Sequence, residues 1–251
     1  MSFEVAPEAY GRFMGRFSQP LAIQFVRMAE LHGGESALDV GCGPGALTEQ
    51  LIAVLGQSAV SAIDPSPPFV AAVRQRFPAV DVRSGFAEQL PFEDDCFDVA
   101  LAQLVVHFMT DPVAGLAEMA RVTKPGGLVA ACVWDHAGGS GPLATFWQAA
   151  RDLDPSVEDE SDLPGAREGQ LAELSKQAGL EVRQSRLTVT VQFPTFADWW
   201  EPFTLGVGPA GGLVARLDDR ERARLAGRCK ELLPPAPFEI AASAWTVQGC
   251  A

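Results

Sequence analysis

Three glycines at alternate positions, Gly41-x-Gly43-x-Gly45, follow an acidic residue, Asp39, at the end of a short apolar run, and a second acidic residue, Asp64, closes the next one. Where a strand feeds a helix, such a turn lets the backbone approach a ligand closely and presents amides at a helix N-terminus. The third glycine comes earlier than in the dinucleotide fingerprint G-x-G-x-x-G, whose longer turn accommodates a pyrophosphate. The spacing therefore suits a ligand with a ribose and no phosphates, and Asp64 is placed to accept hydrogen bonds from two ribose hydroxyls. The plainer alternatives are a tight connection that binds nothing and an Asp64 that caps the helix opened by Pro67-Pro68.

Other residues could carry chemistry. His107 lies just past the fourth apolar run, in the crevice where a general base would serve, and His136 follows Asp135 at the end of the fifth. His32 follows a helical stretch and reads as a C-terminal cap or surface residue. Trp199, Trp200 and Phe203 would make either an aromatic wall or the core of a cap. The run Gly206-Val207-Gly208-Pro209-Ala210-Gly211-Gly212 imitates a nucleotide loop, but no strand precedes it, so it reads as a hinge. No His/Cys/Asp grouping has metal-ligand spacing.

The elements that must position these groups follow from periodicity. Residues 36–135 alternate short apolar runs with amphipathic stretches, the pattern of strand-helix-strand units and a parallel sheet. Strands are expected at 36–40, 59–63, from 80, at 97–106 and at 128–134. Leu47, Leu51, Val54 and Leu55 share one helical face, and Asp111-Pro112 caps and opens a helix that Lys124-Pro125-Gly126-Gly127 ends. Residues 138–165, glycine-rich and then acidic, read as a solvated loop. A helix over 167–178 leads to an alternating, one-side-wet strand at 187–193, and 238–247 is the last strand. Between these two, residues 194–237, with the helix-like stretch 213–233, are expected to form a cap over the ligand site. The whole is an α/β, Rossmann-like three-layer sandwich: a mostly parallel seven-stranded sheet with an antiparallel last strand, plus a small cap. It forms one domain over 1–251, whose N-terminal helical segment, 1–35, closes over the site.

Composition excludes several classes. With 32 Asp and Glu against 19 Lys and Arg, the formal charge of -13 repels phosphate backbones, so a nucleic-acid partner is disfavoured. Cys42, Cys96, Cys132, Cys229 and Cys250 are odd in number and lack Cys-x-x-Cys spacing, and they read as buried free thiols in a reducing compartment. No apolar run is long enough for a bilayer, and the Met1-Ser2-Phe3-Glu4 start is not that of a secretory leader. A soluble cytoplasmic protein without membrane insertion is expected; its oligomeric state is not legible.

The run Ala37-Leu38-Asp39-Val40-Gly41-Cys42-Gly43-Pro44-Gly45 resembles motif I of the class I, seven-stranded S-adenosylmethionine methyltransferases. The resemblance continues through Gly85-Phe86-Ala87-Glu88-Gln89-Leu90-Pro91-Phe92, Phe97-Asp98-Val99 and Arg121-Val122-Thr123-Lys124-Pro125-Gly126-Gly127, signatures of the small-molecule branch that includes ubiquinone and menaquinone biosynthesis enzymes. Residues 10–18 resemble, less specifically, an N-terminal segment found in part of this family. The resemblance implies S-adenosyl-L-methionine as cofactor and a small-molecule methyl acceptor. It implies that Asp39, Gly41, Cys42 and Gly43 surround the methionine portion, that Asp64 holds the ribose, and that Pro65 and Phe69 line the adenine faces. Phe86 and Ala87 would meet the adenine edge, although the family often has Asp where Phe86 stands. Gln103, at the end of the fourth strand, would face the methionine chain near the reactive methyl, and Arg16, whose guanidinium fork fits a carboxylate, would pair with that of the cofactor. Two other functions fit the turn: a non-catalytic S-adenosylmethionine-binding sensor or assembly protein, and a nicotinamide-dependent dehydrogenase, against which the misplaced third glycine counts.

Overall fold

The computed structural model describes residues 7–251, so the first six residues of the expected N-terminal segment, and the leader reading that rests on them, lie outside the described residues. The chain runs through α1 (Pro7–Tyr10), a π-helical turn (Gly11–Gly15), α2 (Arg16–Met28), β1 (Ala37–Val40), α3 (Ala46–Leu55), β2 (Val60–Asp64), α4 (Pro67–Arg76) and β3 (Asp81–Ser84). It continues with β4 (Phe97–Gln103), α5 (Pro112–Val122), β5 (Thr123–Trp134), α6 (Ala144–Leu153), α7 (Gln170–Gln177) and β6 (Glu181–Phe193). After α8 (Phe196–Trp200), α9 (Gly208–Arg216) and α10 (Asp219–Leu232), the chain ends in β7 (Phe238–Cys250).

The seven strands form one sheet in the order β3-β2-β1-β4-β5-β7-β6, parallel except for β7, which is antiparallel to both neighbours. The chain steps outward from β1 to β3 and then returns to the other side of β1, leaving a crevice at the carboxyl ends of β1 and β4. The central strands read as unbroken apolar runs because both faces are covered. Ala37, Val99 and Leu101 point into a core shared with Leu21 and Phe25 of α2 and Leu47 and Leu51 of α3. Leu38, Val40, Ala100 and Ala102 point into the opposite core, with Leu116 and Met119 of α5 and Leu171 of α7.

Several boundaries differ from the sequence expectation. The fourth strand stops at Gln103, because Leu104 adopts φ 60° and turns the chain into a 3-10 turn at Val106–Phe108. The fifth starts earlier, at Thr123, with a register shift opposite Phe97 and Val99. The stretch 138–165 is not simply a loop: α6 buries Phe146, Trp147, Ala149 and Ala150, an apolar stripe at helical spacing hidden between a glycine-rich and an acidic flank. The Gly206–Gly212 run is no hinge, since it leads into α9 and a Cβ on Gly211 would lie 2.7 Å from the Gly206 carbonyl carbon. The expected helix at 213–233 is two helices, broken at Leu217 and restarted by a capping box of Asp218 and Glu221. Of the five thiols, Cys42, Cys132 and Cys229 are buried, whereas Cys96 is half-buried and Cys250 is exposed. Among the described residues no helix is long and apolar enough to cross a membrane.

Candidate functional site

The strand-to-helix turn after β1 is held from below. Gly41 and Cys42 both donate their amides to the Ile63 carbonyl, at 2.8 and 3.0 Å, and Gly45 N donates to Cys42 O at 2.9 Å. Gly41, at φ 70°, packs so closely on the chain after β4 that a Cβ there would lie 2.3 Å from Val105 Cγ2. Asp64 completes the turn: its Oδ2 accepts from Gly43 N and its Oδ1 from Ser66 N, both at 2.8 Å. Burial pushes this carboxyl above its ordinary value, and the two amides oppose the shift. A carboxylate offers about four acceptor positions, so this one retains capacity for further donors.

Above the turn lies a cavity of ≈ 390 Å³ at the carboxyl ends of β1, β2 and β4. Across the sheet its wall changes character. Phe86 and Ala87, after β3, and Pro65 and Phe69, after β2, make one end apolar, with Tyr10 packed edge-on to Phe69 at 5.5 Å. Asp64 follows, then Asp39 within β1, Gly41, Cys42 and Gly43 after it, and Gln103 at the end of β4. Asp39 is 1% exposed; its Oδ2 accepts from Thr48 Oγ1 at 2.5 Å, while Oδ1 is buried without a partner. Burial first, and the nearby Asp64 charge, push the Asp39 carboxyl up to about 7 against the Thr48 hydrogen bond. Gln103 donates through Nε2 to the Ser18 carbonyl at 3.0 Å, leaving its Oε1 and the Ser18 hydroxyl without partners.

Three buried, unpartnered polar atoms on one cavity wall, Asp39 Oδ1, Gln103 Oε1 and Ser18 Oγ, are costly unless a ligand meets them, at roughly 1–3 kcal/mol each. Two are carbonyl-type acceptors, one of them on a carboxylate, so the matching group is a cationic donor such as an ammonium. A ligand with an ammonium at one end, hydroxyls near Asp64 and an aromatic ring at the other end has the donor set that this wall lacks.

Every residue expected at the cofactor lines this cavity except Arg16. Arg16 is turned away: its Nη1 donates to the Asp198 carbonyl at 2.8 Å and its guanidinium lies over the Phe193 ring. His107 is buried behind the wall, its ring 3.9 Å from that of Phe108, which does line the cavity. Phe86 is 65% exposed and flanks the mouth. Residues 194–237 contribute nothing to the lining; Phe203 instead stacks on Phe146 at 4.5 Å and meets Phe13 edge-on at 5.3 Å. Sequence reasoning missed Ser18, Leu104, Val105, Met109 and Glu88, all of which line the cavity. Glu88 bridges loops by accepting from Thr110 N at 2.7 Å. Only the resemblance over residues 85–92 pointed near it.

The sheet order, its single reversed strand and the cavity at the point where strand order reverses define a Rossmann-like fold. Residues 38–131 match the family model described as a methyltransferase domain. Malonyl-[acyl-carrier protein] O-methyltransferase of Serratia marcescens is 33% identical over 132 residues, covering 50% of this chain and 51% of the relative. Demethylmenaquinone methyltransferase of Chlorobaculum parvum is 38% identical over 90 residues, 36% of this chain and 37% of the relative. The chain thus spans about half the length, or less, of these curated relatives. A phosphoethanolamine N-methyltransferase 2 of Haemonchus contortus, solved with phosphomonomethylethanolamine and S-adenosylhomocysteine, superimposes with a TM-score of 0.60. At 18% identity, covering 97% of this chain and 57% of that one, it shows the shared fold. The similarity to a methyltransferase domain thus runs over residues 38–131, the part of the chain that holds β1 to β4 and most of β5.

Proposed function

We propose that the chain binds S-adenosylmethionine in the 390 Å³ cavity and transfers its methyl group to O, N or C of a small, partly apolar acceptor. The observation that carries this reading is the trio of unpartnered buried acceptors at the Gln103 end, set across the cavity from an apolar end at Phe69 and Phe86. Asp39, Gln103 and Ser18 would hold the ammonium, the amides of the Gly41–Gly43 turn the carboxylate, and Asp64 the ribose hydroxyls. Pro65, Phe69, Phe86 and Ala87 would enclose the adenine. When bound, S-adenosylmethionine supplies a methyl group already activated on a sulfonium. The protein's part is alignment and exclusion of water.

The helical segment that supplies Tyr10 and Ser18 is read as a closure over the site, with residues 194–237 bracing it through Phe203 on Phe13. Unpaired cysteines support a reducing compartment. Calorimetry tests the reading: S-adenosylmethionine should bind in the micromolar range, a typical substrate-level affinity, and Asp64→Ala should abolish binding. Unchanged affinity in that variant, or binding of NADH with none of S-adenosylmethionine, overturns it. Screening a metabolite extract for a product one CH₂ heavier separates an enzyme from a sensor that only binds.

A further inference from the structure

We propose that Glu88 reads the nucleobase of the cofactor: its second carboxylate oxygen accepts from the exocyclic amino group of adenine and makes the site selective for an amino over an oxo purine. This rests on the reading of the cavity as the S-adenosylmethionine site.

Among the described residues, three carboxylates line the cavity: Asp39, Asp64 and Glu88. Asp39 stands at the Gln103 end and Asp64 in the middle of the wall. Glu88 therefore belongs to the apolar end, directly after Phe86 and Ala87. The turn beyond β4 closes on the same place: Met109 lines the cavity, and a Cβ built on Gly115 would meet the Met109 sulfur and lie 3.4 Å from Ala87 Cβ. The side chains of Phe86, Ala87 and Met109 can cover an aromatic ring but carry no oxygen acceptor. Glu88 supplies one.

The carboxylate is held in position by the protein itself. Its Oε1 accepts from Thr110 N at 2.7 Å and from Asp111 N at 3.3 Å. Asp111 is the N-cap of α5, its Oδ1 accepting from Ala114 N at 3.0 Å. Two residues beyond Glu88, Leu90 N donates to Glu118 Oε2 at 2.8 Å, so the loop is pinned to α5 a second time. This bracing occupies one oxygen, and a neutral glutamine would do it equally well. Oε2 has no partner among the described residues. The charge and the second oxygen are thus surplus to the bracing, on a half-buried residue at the wall of the cavity.

Adenine offers an amino donor on its edge, which an acceptor-only carboxylate matches. Hypoxanthine has an oxo group at that position, whose lone pairs would face those of Oε2. A site built around such a hydrogen bond rejects the analogue that cannot make it.

The test is titration calorimetry on the full chain with S-adenosylhomocysteine and its deaminated analogue S-inosylhomocysteine, using wild type, Glu88→Gln and Glu88→Ala. Wild type should bind the amino form at least ~10-fold more tightly than the oxo form. In Glu88→Gln, the Thr110 and Asp111 amides hold the side-chain carbonyl oxygen in the Oε1 position, which puts the amide nitrogen, a donor, where Oε2 was. The preference should fall to parity or reverse, with thermal denaturation showing that the fold is kept. Glu88→Ala also removes the bracing, so it should weaken both ligands and abolish the preference. The ratio of the two affinities is the readout, because a purely structural role would lower both by the same factor. Equal affinities in wild type, or a wild-type ratio in either variant, overturn the role of Glu88 while leaving the cavity assignment standing. Binding of neither ligand by wild type overturns the cavity assignment and this proposal with it.

Discussion

The Gln103 side-chain amide donates to the Ser18 carbonyl at 3.0 Å, joining the end of β4 to α2 across 85 residues. This bond holds the N-terminal helix over the cavity and leaves Gln103 Oε1 and Ser18 Oγ without partners. Gln103→Leu keeps the bulk but removes both functions. S-adenosylhomocysteine affinity should fall about ten-fold or more, the equivalent of ~1.4 kcal/mol, with ~1 kcal/mol of stability lost. Calorimetry and urea denaturation measure the two effects; an unchanged affinity would show that α2 does not depend on this bond to shape the site.

Gly41 and Gly43 both have positive φ, yet substitution should harm them differently. Alanine at 41 would place a Cβ 2.3 Å from Val105 Cγ2, whereas at 43 it would meet nothing within 4 Å. Gly41→Ala should therefore cost ~2–4 kcal/mol of stability from strain and overpacking together, partly recovered by Val105→Ala. Gly43→Ala should cost ~1 kcal/mol and act mainly on cofactor affinity, because the open space beside it belongs to the cavity. Thermal denaturation of the two variants and the double mutant, read beside ligand binding, distinguishes the two mechanisms.

The pH dependence of the unliganded protein has a defined sign. Burial raises the Asp39 carboxyl from 3.8 to about 7 in the folded chain. Between those values the folded state holds a proton that the unfolded chain has released, so stability falls as pH rises through that window. Asp64 is shifted in the same direction, as is Glu160, to about 7. Asp39→Asn should flatten the decline and gain ~1–3 kcal/mol at pH ~8 relative to pH ~5. Wild-type affinity for S-adenosylhomocysteine should rise through about pH 7, because an ammonium favours ionised Asp39. Denaturation and calorimetry across pH check both; a flat wild-type stability profile would refute the Asp39 assignment.

What was legible in the sequence is what the backbone requires. The Gly41-x-Gly43-x-Gly45 turn and Asp64 at a strand end announce themselves because few other residues can make that turn or bridge its amides. The seven strands were legible because β1 and β4 are covered on both faces and β6 on only one. Ser18 was not, since a serine inside a helix looks the same whether it faces core or cavity. Nor was Leu104, whose φ of 60° is imposed by the turn after β4 and not by leucine itself. Arg16 was misplaced because a guanidinium fork suits a ligand carboxylate as well as the Asp198 carbonyl, and only the packing of α8 decides between them. Helix α6 was hidden because its acidic flank outweighed the Phe146, Trp147 and Ala150 stripe.

Arg121 links two sequence signatures that are 29 residues apart, and its replacement should expose that link. Its Nη2 donates to Leu90 O and its Nη1 to Phe92 O, both at 3.0 Å, while Nη1 also meets Asp94 Oδ1 and Nε meets Glu118 Oε1, each at 2.6 Å. Glu118 in turn accepts from Leu90 N at 2.8 Å. One guanidinium thus clamps the loop that begins at Phe86 and Ala87 and supplies the apolar end of the cavity. Lysine keeps the charge but cannot present this fork of donors, so Arg121→Lys should behave nearly as badly as Arg121→Ala. Both should lose ~2–3 kcal/mol of stability, open residues 88–96 to limited proteolysis and weaken cofactor binding. Proteolysis confined to that loop, and suppressed by saturating S-adenosylhomocysteine, would show that the clamp and the ligand order the same segment; equal protection of Arg121→Lys and wild type would show that charge alone suffices.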